Sequence, residues 1–180
     1  MNRTFRCDYK RMTGRQLTYS VRTIVTLLFR YQTRYVLYLR AYQHKRNFIL
    51  RLMMYRLTRK YGLEISPNAQ IGEGLYLGHP YNITVSGTAK LGDMINLHKG
   101  CTIGEVNSGR LKGSPTIGNR VYIGINATVV GNITIGDDVM ICANTFVDFD
   151  VPSHSVVING VGGVQIHHKE NATEHYIEKL

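Results

Sequence analysis

The chain has 180 residues, 43% of them apolar and 19% charged, an ordinary composition for a soluble protein of one domain with a smaller appendage. Its three cysteines, Cys7, Cys101 and Cys142, have no CxxC or CxxH spacing, which argues for reduced thiols and against a disulfide frame or a cysteine metal site. The formal charge of +10 is uneven: residues 1–60 hold 15 of the 22 Lys and Arg but only one acid, Asp8, while the other 120 residues are net −4.

Residues 1–62 read as a basic helical region. Apolar residues recur at three- and four-residue spacing (Val21, Ile24, Val25, Leu28; Tyr35, Val36, Tyr38, Leu39; Phe48, Ile49, Leu52, Met53), and no Pro or Gly falls between 15 and 61. Gly62 ends the pattern at a plausible left-handed cap. The run Ile24–Phe29 is far short of the roughly 20 apolar residues that span a bilayer, and the first residues lack the apolar stretch of a signal sequence. A cytoplasmic protein is therefore expected. Two readings of the basic helices stand: they pack on the rest of the chain with Arg solvated, or they rest on an anionic membrane surface with Tyr at the interface. Nucleic acid is not an expected partner, because no binding motif accompanies the charge.

From Gly62 onward the period changes to six. Aliphatic anchors fall at Ile65, Ile71 and Leu77, then Val85, Leu91, Leu97 and Ile103, then Ile117, Ile123, Val129, Ile135, Ile141 and Val147. Glycine follows many of them, and small or aliphatic residues (Ala69, Ala89, Cys101, Val121, Ala127) often sit two positions earlier. Six matches neither a helix nor a hairpin sheet. It predicts short strands joined by tight turns, each stacked on the strand one coil away, over residues 63–157. Residues 158–180 then read as a C-terminal tail.

The ladder breaks twice. The step from Leu77 to Val85 is eight residues and carries His79. The step from Ile103 to Ile117 is fourteen and expels a polar, Gly-rich loop over 105–115 that contains Arg110 and Lys112. Long loops on rigid scaffolds often carry function. His79 and His98 are expected on adjacent coils, roughly 5 Å apart along the axis.

The segments GLEISPNAQIGEGLYLGHP, LHKGCTIG and SPTIGNRVYIGINATVVGNITIGDDVMICANTFVDFDVPSHS resemble the serine acetyltransferase family, and most of all the short enzymes of that type from surface-polysaccharide clusters. The resemblance implies a mainly β fold: a left-handed parallel β-helix behind a small helical region. It also implies acetyl-CoA as co-substrate with no metal, and a homotrimer with acetyl-CoA between neighbouring subunits. On this resemblance His79 matches the catalytic histidine and Glu64 its carboxylate partner. Ile125 and Ala143 match positions lining the pantetheine channel. Gly104 at the loop base and Lys169 in HHK are further cofactor candidates, and His98, Arg110 and Lys112 are candidates for acceptor contact. The sequence departs from the family at Gly78, where an acid usually precedes the histidine, and at Ser114-Pro115, where the family has His-Pro.

An alcohol attacks a thioester only if a base takes its proton as the C–O bond forms; histidine, with an ordinary pKa of about 6.5, can accept that proton and return it to the thiolate. The expected activity is therefore acetyl-CoA-dependent O-acetylation. The departure at Ser114 makes a sugar hydroxyl of a capsular or exopolysaccharide the expected acceptor, with L-serine as the alternative enzyme reading and a non-catalytic scaffold as the other alternative.

Overall fold

The structure, a computed structural model, describes residues 3–177. The six-residue period becomes a three-sided prism of stacked coils. The first coil is β1 (Leu63–Ile65), β2 (Gln70–Ile71) and β3 (Tyr76–Gly78); the second is β4 (Ile83–Val85), β5 (Lys90–Leu91) and β6 (Asn96–His98). The third is β7 (Thr102–Gly104), β8 (Thr116–Ile117) and β9 (Tyr122–Ile123), and the fourth β10 (Thr128–Val130), β11 (Thr134–Ile135) and β12 (Val139–Ile141). A last coil runs through β13 (Phe146–Val147), a bridge from Val151 to Ile135, and β14 (Ser155–Gly160), which turns back as β15 (Gly163–His168). Strands of one face pair in parallel: β1-β4-β7-β10-β13 make the first face, β2-β5-β8-β11 the second, and β3-β6-β9-β12-β14 the third, with β15 antiparallel at its end.

The pairing register explains the period. Ile65, Val85, Ile103, Val129 and Val147 lie in one row, and Leu77, Leu97, Ile123 and Ile141 in another. All thirteen anchors except Ile71 are buried. The residues two positions earlier form a second buried set that includes Leu63, Ile83, Cys101 and Ala127, so Cys101 is a core residue. Parallel strands this short bury enough apolar surface only because each coil covers its neighbours. Both ladder breaks leave the register intact: the extra residues leave the prism at its edges.

Four helices precede the prism: α1 (Arg3–Thr13), α2 (Val21–Phe29), α3 (Tyr31–His44) and α4 (Phe48–Tyr61). Ser20 and Asn47 accept backbone N–H groups at the starts of α2 and α4, and Gly62, at φ 66°, closes α4 by donating to the Thr58 carbonyl. α1 packs on α3 and β3 through Phe5, Tyr9 and Met12. Its Asp8 is fully buried, bonded to Arg40 at 2.8 Å and to the Leu75 amide at 2.8 Å, and Arg40 donates on to the Ile71 carbonyl at 2.7 Å. This pair ties α1 and α3 to the open end of the first coil. Burial pushes the Asp8 carboxyl above its usual range against the pull of Arg40.

One expectation fails in a useful way. The apolar stripes of α2 and α4 form helices, but they do not face a core: Val21, Ile24, Leu28 and Phe29 are exposed, as are Phe48, Ile49, Leu52 and Met53. The buried contacts come instead from Tyr35, Val36 and Leu39 of α3 and from Met54 and Leu57 on another side of α4.

Candidate active site

The prism has three edges, and the sequence-predicted site residues divide among them. The edge from the third face to the first is a stack of corners. Asn82, Gly100, Asn126 and Asn144 occupy the same left-handed position in successive corners, and each N–H donates to the corner one coil earlier, to Tyr61, Tyr81, Lys99 and Ile125. Asparagine and glycine suit that backbone geometry.

His79 is an additional left-handed residue on this edge, with φ 47°. It owes its place to the eight-residue step, which adds His79 and Pro80 to a corner that elsewhere closes without them. A bulky residue at positive φ is uncommon and needs support from its surroundings. Here Tyr31 and Tyr61 stack at 3.7 Å, Tyr81 packs edge-on against both, and the Tyr31 hydroxyl donates to the Pro80 carbonyl at 3.3 Å. The helices thus brace the corner, and the His79 side chain stays exposed.

His98 lies one coil on, paired with Gly78. Its ring rests over the Gly78 α-carbon: a β-carbon at that position would lie 2.4 Å from its Cε1. The other face of the ring meets Tyr122, with centroids 4.5 Å apart. Burial, with a smaller contribution from His79, lowers the His98 pKa from its ordinary value. Its Nε2 is buried without a hydrogen-bond partner. The glycine that stands where the resemblance leads one to expect an acid is thus the residue that makes room for this ring.

Ile125 and Ala143 share the edge of His79, in the two corners beyond Gly100. Among the described residues their N–H groups donate to nothing within the chain, and both side chains are exposed. A line of free amides beside small or apolar side chains fits the amides and alkyl segments of a pantetheine arm.

The other predicted residues lie elsewhere. Gly104, Arg110 and Lys112 belong to the edge between the first and second faces. The loop there is folded back on itself through reciprocal Val106–Gly113 backbone bonds, and Leu111 accepts from the Asn132 amide at 2.9 Å. Arg110 and Lys112 point from it as exposed groups. Ser114 bonds to Ser86 at 3.0 Å and to Thr88 at 2.6 Å, and Glu105 joins the same cluster. Lys169 lies at the remaining edge, its N–H on the His154 carbonyl. Glu64 is exposed on β1 and lines a cleft of about 540 Å³ with Tyr35, Arg46, Arg51 and Tyr55; no hydrogen bond or ion pair among the described residues joins it to His79.

Sequence reasoning missed the outer surface of the third face. Tyr76, Asn96 and Tyr122 pair in register there, each directly before an anchor. That position was a readable signal, but aligning it required knowing how many residues each ladder break contributes.

Residues 114–148 match the bacterial transferase hexapeptide family (six repeats). The chain is 38% identical over 117 residues to the serine acetyltransferase of Helicobacter pylori, covering 64% of this chain and 68% of that protein. It is also 38% identical over 120 residues to the enzyme of that name from Staphylococcus xylosus, of which it spans only 55%. Among solved structures, the Neisseria gonorrhoeae serine acetyltransferase in complex with serine superposes with a TM-score of 0.69 at 29% identity, covering 91% of this chain and 67% of that one. The Brucella melitensis serine O-acetyltransferase gives 0.72 at 26% identity, covering 92% and 66%. These relatives overturn the polysaccharide acceptor expected from Ser114. In the structure Ser114 bonds the loop base to Ser86 and Thr88, on a different edge from His79. With its left-handed hexapeptide β-helix and these relatives, the chain belongs to the serine acetyltransferase family.

Proposed function

We propose that the protein transfers the acetyl group of acetyl-CoA to the hydroxyl of L-serine, with His79 as the base. One observation carries this reading: His79 is an inserted, braced, left-handed residue on the same edge as the free amides of Ile125 and Ala143, in a chain whose relatives are serine acetyltransferases. The His79 imidazole takes the serine hydroxyl proton as the oxygen bonds to the thioester carbonyl carbon. The tetrahedral adduct then collapses, the C–S bond breaks, and the imidazolium returns the proton to the CoA sulfur. Free edge amides are suited to hold the oxyanion in between. The products are O-acetyl-L-serine and free CoA. Glu64 is the proposed orienting carboxylate on the resemblance alone; among the described residues no hydrogen bond or ion pair joins it to His79.

A homotrimer completes the proposal. His79 and the Arg110–Lys112 loop stand on different edges of one prism, so a single chain does not bring them together. Prisms set around a threefold axis would turn the loop edge of one toward the His79 edge of the next, with acetyl-CoA between them. Arg110 and Lys112 are then contacts across that boundary, with Gly104 beside the bound cofactor. Sedimentation at micromolar concentration tests the assembly: a monomer would remove this part of the account.

We place the enzyme in the cytoplasm, with its basic helices against an anionic membrane surface. No helix among the described residues is long and apolar enough to cross a membrane. The exposed stripes of α2 and α4, in a segment whose 15 Lys and Arg share one acid, Asp8, support contact at the surface. Release of free CoA with L-serine, against no release with other alcohols of similar size, tests the catalytic reading.

A further inference from the structure

The third face carries a second cavity, of about 480 Å³, between α1 and the C-terminal segment. Its walls are Tyr76, His98, Tyr122 and Tyr176, and its rim holds Lys10, Arg11 and His175. The rings form a continuous wall: Tyr76 lies 6.1 Å from His98, His98 4.5 Å from Tyr122, and Tyr122 5.0 Å from Tyr176. Among the described residues no carboxylate lines it.

Arg11 is fixed in this cavity. Its guanidinium donates to the Gly74 carbonyl and, at 2.8 Å, to Asn96 Oδ1, and it lies 5.9 Å from the Tyr76 ring centre. Asn96 is buried, and its amide donates on to the Tyr176 carbonyl at 3.0 Å, which locks α1 to the C-terminal segment. Among the described residues no ion pair neutralises Arg11. A held, partly desolvated guanidinium keeps unused donors in a fixed fork suited to a carboxylate or phosphate. His98 adds a buried nitrogen, Nε2, that lacks a partner among the described residues.

We infer that this cavity is an anion-binding site for a small ligand that carries a carboxylate or phosphate on a planar body, with Arg11 anchoring the anion and the Tyr122 ring packing against the body. The site is separate from that of the reacting serine. Arg11 is held at the Gly74 end of the third face, His79 stands at the opposite edge, and a molecule as small as serine does not span the face. His98 lies between the two, so occupancy bears directly on the residue beneath the His79 corner.

Binding needs no turnover, so this inference and the serine reading fail independently. Benzoate and inorganic phosphate serve as probes in titrations of the full chain, followed by calorimetry and by NMR of the histidine rings. Both probes are expected to saturate at concentrations up to the order of 10 mM, and each should shift the His98 resonances and raise its titration midpoint, because an anion favours the imidazolium. Arg11→Gln should weaken both probes by about tenfold or more, whereas Tyr122→Ala should weaken benzoate and spare phosphate. Lys90→Gln, on the second face, should change neither. Absence of saturable binding, His98 resonances that do not move in the wild-type protein, or undiminished affinity in a folded Arg11→Gln variant would each overturn the inference.

Discussion

The His98 ring lies directly on the α-carbon of Gly78, where a β-carbon would fall 2.4 Å from Cε1. The two residues pair across adjacent coils, and Tyr122 closes the other side of the ring. Any side chain at 78 must therefore displace an aromatic stack that sits beneath the His79 corner. Gly78→Ala is expected to lower stability by about 1–3 kcal/mol, a typical overpacking cost. In the double variant Gly78→Ala/His98→Ala most of that loss should disappear, because the added methyl then occupies vacated space. Thermal melting of both single variants and the double variant reads the coupling; strict additivity would mean that the ring does not fill this space.

Asp138 predicts a pH dependence. Burial alone would raise its pKa, but hydrogen bonds from the Thr173 hydroxyl at 2.7 Å and amide at 3.1 Å, from His154 at 3.1 Å and from the Ala172 amide at 2.9 Å hold it below the usual carboxylate range. A depressed native pKa means that the carboxylate stabilises the fold above the ordinary carboxylate pKa, and that this contribution fades as pH falls through the native value. Asp138→Asn should therefore destabilise the protein by about 1–3 kcal/mol at neutral pH and converge on wild type in acid. Urea denaturation at a series of pH values measures the difference, and a gap that persists undiminished at low pH would contradict it. Because Asp138 clasps residues 172 and 173, the same variant should expose the C-terminal segment to proteolysis at neutral pH.

The exposed stripes of α2 and α4 predict binding to vesicles that contain an anionic lipid, and not to purely zwitterionic ones. Binding should weaken as salt is raised, since the surface charge term is screened beyond about 10 Å at 0.1 M. Phe29→Ser with Leu28→Ser should reduce it several-fold with little change in melting temperature, as both side chains are already exposed. Failure to co-sediment with anionic vesicles at low salt would remove the membrane contact.

Much of the prism was legible in the sequence because a parallel β-helix repeats one local rule. Every anchor from Ile65 to Val147 occupies its predicted row, and both breaks emerge at edges. His79 was legible for the same reason: an insertion is conspicuous against a strict period. What the sequence did not reveal was relative placement across edges and faces. The spacing of His79, Glu64 and the 105–115 loop says nothing of which edge each occupies, and the structure sets the loop on another edge and leaves Glu64 without a bond to His79. The cavity around Arg11 was hidden because it needs a helix, three strands and the chain's last turn at once. Reading Ser114 as an acceptor-determining position failed against the relatives, and the structure bonds this loop-base hydroxyl to Ser86 and Thr88 of the preceding coil. The helical stripes show a further limit, since periodicity reports amphipathicity and not what covers the apolar side.

The most direct measurement is free CoA release from acetyl-CoA with L-serine as acceptor, wild type against His79→Ala. The account predicts serine-dependent turnover in the wild-type protein and a fall of about 10²–10⁴-fold in kcat for the variant, the usual contribution of a positioned base. His79→Ala retaining wild-type turnover, or wild-type protein releasing no CoA with serine, would contradict it.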